Sequence, residues 1–189
     1  MVRIVIDAMG GDFAPEVTVA GAVEALQDFS DIHLILSKET LVAELAKYTY
    51  DQLRIEVDDA PDTVGMDEHP GKVVRSKPNS SIVRSAQLVK DGIADAGLSA
   101  GNTGAAMASA LFKIGRIPGV DRPAIGIPLP AAGRFFLLVD GGANADCRPI
   151  HLMQFAKMGS IYAEEVLKVK NPKVGLLNIG EEAEKGNEL

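Results

Sequence analysis

The chain holds a single cysteine, no tryptophan, three tyrosines and six phenylalanines in 189 residues. One thiol, Cys147, cannot close an intramolecular disulfide, which excludes a disulfide-built scaffold and fits a reducing compartment. Basic charge is also short: 19 Lys and Arg against 26 Asp and Glu give a net charge of -7. That excludes nucleic-acid binding driven by counterion displacement, and any anionic ligand must be met by local arrangement rather than global attraction. No apolar run approaches the ~18 residues of a membrane-spanning helix. The opening MVRIVIDAMGGD puts Asp7 and two glycines where a signal peptide would continue its apolar stretch, so a cytoplasmic protein is expected. The three histidines, His33, His69 and His151, are scattered. Neither they nor the carboxylates form a recognised metal motif, and no tightly held metal is expected.

What the chain does have is a repeated pattern of apolar runs that end in Asp or Asn with glycines. The central instance is Ala94 to Phe112, read as a short strand ending at Ser99, a loop with Gly101, Asn102, Thr103 and Gly104, and a helix ending near Gly115. A strand-to-helix joint of this kind exposes the unpaired N–H groups of the first helical turn, where the peptide dipoles place about half a positive charge. Gly101 and Gly104 let a backbone approach an anion closely, and Ser99, Asn102 and Thr103 add side-chain donors. The glycines do not spell GxGxxG and no Walker lysine follows, so a bare phosphate suits the loop better than a nucleotide. The other instances are Val2 to Asp12, with Asp7, Gly10 and Gly11, then Phe135 to Asp146, and Val174 to Glu182. The expectation is that these loops converge on one site.

Val2 to Ile6 reads as a strand covered on both faces, Val19, Val23 and Leu26 as the buried stripe of a helix after Pro15, and Ile32 to Leu36 as a second strand. A short helix over Glu39 to Ala46 and an edge strand over Leu53 to Val57 follow. Asp58 to Pro78 is broken by Pro61, Gly65, Pro70, Gly71 and Pro78, and is expected to be an irregular loop. It gathers positive charge at Lys72, Arg75 and Lys77, with Arg84 beyond; Lys77 is the residue expected to reach into a cleft. Asn79 or Ser80 caps a helix that carries Ile82, Ala86 and Val89 and stops at Gly92. Phe135 to Val139, a helix over Pro149 to Lys168 and a last strand over Lys173 to Ile179 complete the order. Strands alternating with helices predict a three-layer α/β/α domain with a mostly parallel sheet, its ligand loops at the strand C-terminal edge. Asp7, Asp12, Asp140 and Asp146 fall at those strand ends, and two readings stay open for them: loop organisers that accept backbone N–H groups, or catalytic carboxylates.

IDAMGGDFAP (Ile6 to Pro15), SAGNTGA (Ser99 to Ala105), GANADC (Gly142 to Cys147), QFAKMGSIYAEEV (Gln154 to Val166) and VGLLNIGEEAEKGN (Val174 to Asn187) together resemble the bacterial phosphate acyltransferases of phospholipid synthesis, the PlsX type. The resemblance implies a fold similar to phosphotransacetylase and isocitrate-dehydrogenase-like proteins. It implies an enzyme that moves an acyl group from acyl-acyl-carrier protein to inorganic phosphate, needs no cofactor, and works as a homodimer associated peripherally with the membrane. Family chains are longer, so residues 1–189 are expected to be a single, incomplete α/β domain with some uncovered sheet surface. Gly141 stands where leucine is more usual. From their positions, the Ser99 to Gly104 loop is expected to hold phosphate with Lys77 as counter-charge, Asn144 and Asn178 are candidate donors, Asp7 and Asp146 candidate loop organisers, and Glu182 and Lys185 are expected to complete the site. Two alternatives are an enzyme of the same chemistry using acyl-coenzyme A, and a non-catalytic phosphate- or carrier-binding module.

Overall fold

β1 (Val2–Asp7) is the strand around which the first half of the chain is laid. In the computed structural model, which describes residues 1–37, 41–182 and 185–186, it pairs in parallel with β2 (Ile32–Ser37) on one side and β4 (Ala96–Ser99) on the other. β3 (Ile55–Asp58) adds to the far side of β2, so the order is β3-β2-β1-β4 and all four strands are parallel. The pleat divides β1 between two layers. Ile6 faces Val19, Ala22, Val23 and Leu26 of α1 (Glu16–Asp28) and Leu45 of α2 (Val42–Leu45), while Val5 and Ile35 face Leu88 of α4 (Ser81–Lys90). Helices therefore cover both faces, giving the expected three-layer α/β/α arrangement. The i, i+3, i+4, i+7 spacing of the α1 residues is what places them in one stripe.

Chain order reverses between β1 and β4: the path from β1 runs outward through β2 to β3, then crosses to the opposite side of β1. A reversal of this kind opens a crevice at the strand C-termini.

The segment expected to be irregular contains a helix, α3 (Pro70–Ser76). Proline breaks a helix interior but is favoured at the first position, and Pro70 occupies it, with His69 as N-cap accepting the Gly71 N–H at Nδ1. α4 starts after Ser80, as expected, and Gly92 follows it with a φ of +70°. α5 (Thr103–Ser109) continues as a π-helical turn over Ala110–Ile114 and stops at Gly115. Residues 39–40 of the expected helix before β3 lie outside the described residues.

Residues 1–115 form one compact unit and 116–189 a second. In the second, β5 (Gly126–Ala131) and β6 (Arg134–Val139) make an antiparallel hairpin. This corrects the reading of Phe135 to Val139 as a further strand of the parallel sheet. A connection of two residues, Ala132 and Gly133, can join only antiparallel neighbours, and Gly133 has the positive φ of +70° such turns use. α6 (Pro149–Glu165) packs on β6, with Gly159 beside Val139. Lys173 to Ile179 is not a strand: it has no pairing partner among the described residues, and Leu176, Leu177 and Ile179 are exposed. Among the described residues no helix is long and apolar enough to cross a membrane.

Candidate functional site

The carboxylate of Asp7, at the C-terminal end of β1, is 2% exposed. It accepts two hydroxyl protons: one from Ser81 Oγ at 2.5 Å and one from Ser99 Oγ at 2.7 Å. Ser99 ends β4, and its Oγ in turn accepts the Gly101 N–H at 3.1 Å. Ser81 is the first residue of α4. One buried carboxylate thus ties the ends of β1 and β4 and the start of α4, at the place where strand order reverses.

The loops above it touch through their backbones. A Cβ on Gly10 would sit 2.6 Å from Asp7 Oδ2 and 2.8 Å from the Gly101 nitrogen, and one on Gly101 would sit 2.9 Å from the Gly10 Cα. Only glycine permits this approach. Gly11 follows, half-buried against Ala100.

Asn102 caps α5, its Oδ1 accepting the Ala105 N–H at 3.0 Å. Its Nδ2 reaches the carbonyls of Met66 and Glu68, both at 3.0 Å, and more distantly that of Gly65 at 3.4 Å. Glu68 accepts Lys77 Nζ at 2.6 Å and the Gly65 N–H at 2.7 Å, bonds that hold its carboxyl below the usual range, the lysine being the larger cause. Lys77 Nζ also donates to the Thr63 carbonyl at 2.8 Å. The 65–68 loop is therefore clamped by Asn102 from one side and Lys77 from the other. Thr103 is exposed, and no acceptor among the described residues meets the N–H of Thr103 or Gly104. Gly104 has a packing reason: a Cβ there would fall 2.4 Å from Pro70 Cγ, so its glycine lets α3 and α5 meet. The other cations of this region are placed differently: Arg84 makes a bidentate pair with Asp58, and Lys72 and Arg75 lie exposed on α3.

In the second unit Asp140 organises the loop after β6. Burial raises its carboxyl pKa, but N–H bonds from Ile125 and Asn144, both at 2.7 Å, outweigh that and hold it below the usual range. The Asn144 Nδ2 donates to the Pro123 carbonyl at 2.9 Å and to Asp140 at 3.3 Å. Asp146 is exposed and its carbonyl accepts from Arg122. Asn178 donates to the Gly180 and Lys185 carbonyls at 3.1 and 3.3 Å, and the Lys185 N–H bonds the Glu182 carbonyl, so Asn178, Glu182 and Lys185 share one small loop.

The structure thus brings together Asp7, Gly10, Ser99 and Gly101, with Asn102 and Lys77 joined through the 65–68 loop. Ser81 and Glu68 belong to that assembly, and nothing in the sequence alone marked them. Ser81 bonds a residue 74 positions away, and Glu68 lies in a stretch read only for its breakers and positive charge.

The family described as "Fatty acid synthesis protein" matches residues 2–189. Among curated relatives, a phosphate acyltransferase of Clostridium beijerinckii is 51% identical over 99% of this chain and 57% of its own length. Phosphate acyltransferases of Desulforamulus reducens and Gloeobacter violaceus are 54% and 56% identical over 100% of this chain, covering 57% and 56% of their own lengths. The chain therefore spans little more than half the length of the relatives it matches. A match over nearly every residue, at about half identity, settles the kinship: the chain belongs to the fatty acid synthesis protein family.

Proposed function

We propose that the protein of which these residues are part transfers a fatty acyl group from acyl-acyl-carrier protein to inorganic phosphate, giving acyl phosphate for phospholipid synthesis. The observation that carries this reading is the match, over nearly all of this chain and little more than half of their own length, to relatives named phosphate acyltransferase. The chemistry suits a chain without an evident nucleophile. Phosphate is ionised at neutral pH, and its oxygen attacks the thioester carbonyl directly. A C–O bond forms, the C–S bond breaks, and the thiolate of a thiol of pKa ~8.5 departs. Holding phosphate against the carbonyl contributes ~7–11 kcal/mol, and each donor to the oxyanion ~3–4 kcal/mol.

In this reading the loop from Ser99 to Gly104 holds phosphate, through the Thr103 hydroxyl and the N–H groups of Thr103 and Gly104, which meet no acceptor among the described residues. Asp7, Gly10, Gly11, Ser99, Gly101 and Asn102 set the geometry of that loop. Lys77 supplies positive charge beside it, tempered by Glu68. Asn144, Asp146, Asn178, Glu182 and Lys185 keep their proposed part: the two asparagines and Asp146 shape their loops, and Lys185 is the cation of its own. The same reading includes a cytoplasmic homodimer that associates peripherally with the membrane, which vesicle flotation and mass measurement would check.

The test is to incubate the full-length protein with phosphate and acyl-acyl-carrier protein, or with acyl-coenzyme A, and trap acyl phosphate with hydroxylamine. Product from the carrier-protein thioester is expected. Product from acyl-coenzyme A alone, or none from either, would overturn the reading.

A further inference from the structure

His151, the third residue of α6, is 1% exposed and has no part in the reaction above. Its Nδ1 accepts the Arg148 N–H at 3.1 Å, the half of a capping box that a glutamate would ordinarily supply. Its Nε2 lies 3.2 Å from a guanidinium nitrogen of the same Arg148. A guanidinium only donates, and a neutral imidazole has one N–H and one lone pair. With the lone pair on Nδ1 taken by a backbone N–H, Nε2 carries the proton and aims it at a second donor. Moving the proton to Nδ1 only transfers the conflict to the backbone N–H, and an imidazolium suffers it at both nitrogens. No acceptor among the described residues resolves this in either tautomer.

The surroundings are positive. Burial first, then Arg122 and Arg148, hold the imidazole below its usual range, with Asp121 opposing. Arg122 spends one nitrogen on the Asp146 carbonyl at 2.7 Å. Neither arginine has a carboxylate partner among the described residues, in a chain whose net charge is -7. The first turn of α6 carries no acidic residue either.

We infer that Arg122, Arg148 and His151, at the start of α6, form an oxyanion-binding site that takes a phosphate group, either inorganic phosphate or the phosphate monoester of a larger molecule. With the exposed Arg148 guanidinium turned aside from the 3.2 Å contact, one phosphate oxygen accepts from both Nε2–H and that guanidinium, and the remaining N–H groups of Arg122 meet another. The inference stands independently of the acyl-transfer reading, because it requires only the anion.

The experiment follows the ring nitrogens of His151 by NMR in the full-length protein during separate titrations with inorganic phosphate and methyl phosphate. A saturable shift of Nε2 is expected with at least one of them, and whichever binds more tightly identifies the source of the anion. Arg148→Gln and Arg122→Gln, both at exposed positions, should each weaken binding about tenfold, the loss of one charge-assisted contact. Asp121→Asn should tighten binding or leave it unchanged. Three results would overturn the site: ring resonances unmoved by both anions, affinity indifferent to both arginine substitutions, or a His151 spectrum displaced by Asp121→Asn but not by phosphate. The last would make Asp121 the missing acceptor.

Discussion

The two halves of the chain solve the same problem, fixing a loop that follows a strand, with different economy. In the first unit the loop after β1 is locked by groups from three elements: Asp7 on β1, Ser99 on β4 and Ser81 on α4. In the second, the loop after β6 is held by Asp140 taking N–H groups from Ile125, 15 residues back, and Asn144, four residues on, both within one hairpin and its loop, and the bonds of the loop around Asn178 stay, among the described residues, within that loop. Long-range locks on a buried carboxylate make geometry cooperative, because each donor left unmatched costs more than the bond it forms. Local loops change one at a time. Substitutions in the first unit should therefore act as a group, and those in the second singly.

The largest effect is expected from Gly10→Ala. The new methyl meets Asp7 Oδ2, the Gly101 nitrogen and Ser99 Oγ, none of which ends a flexible chain. Overpacking of about 3 kcal/mol should show as a lowered denaturant midpoint, with loss of the proposed acyl phosphate formation in the full-length protein. Unchanged stability would mean the two loops part easily, and the contrast between the halves would collapse. Asn102→Ala comes next. It removes a helix cap and strands the carbonyls of Met66 and Glu68, for about 2 kcal/mol in all. If the proposed acyl transfer falls further than that stability loss explains, the 65–68 clamp shapes the loop proposed to hold phosphate.

Ser81→Ala separates the lock from its parts. It leaves the buried Asp7 carboxylate with one hydroxyl donor instead of two, at a cost of about 1–2 kcal/mol. A double-mutant cycle with Ser99→Ala should show clear coupling, since both hydroxyls serve one acceptor. Additive effects would break the argument for a shared lock.

The sequence reveals Asp7 and Ser99 because each ends an apolar run and precedes glycines, so pattern alone places them at strand ends. It hides Ser81, whose importance lies wholly in a partner 74 residues away. It misleads at Pro70, where a breaker is in fact the first residue of α3, and at Phe135 to Val139, where the neighbouring Gly133 signals a hairpin more strongly than the apolar run signals a parallel strand. Lys77 shows a different limit. Clustered charge marks it as unusual, yet its Glu68 partner takes the ammonium at 2.6 Å, which no count of charges discloses.

Leu177→Ser should have the smallest effect on stability. The side chain is 84% exposed and the segment pairs with no strand among the described residues, so a change within about 0.5 kcal/mol is expected from a chemical melt of the 189-residue chain. The same substitution in the full-length protein sharpens the contrast: a loss beyond that margin would show that the exposed apolar run is covered there.

The edge of the sheet offers a comparison by pH. Asp95, just before β4, accepts the Arg3 N–H and two guanidinium nitrogens at 2.8 to 3.2 Å, and its pKa is lowered from 3.8 to about 2, the guanidinium being the first cause. A carboxyl whose folded pKa lies below its unfolded one stabilises above the unfolded value and loses that contribution as pH falls through the folded one. Melting temperatures measured from about pH 6 to about pH 2 should therefore drop across that lower range, and Asp95→Asn should flatten part of the drop. Because this pair is exposed, salt should shrink the difference as well, whereas the Ser81 effect, resting on a buried carboxylate, should persist. Equal salt sensitivity of the two would place both at the surface and undo the distinction between a solvated tie and a buried lock.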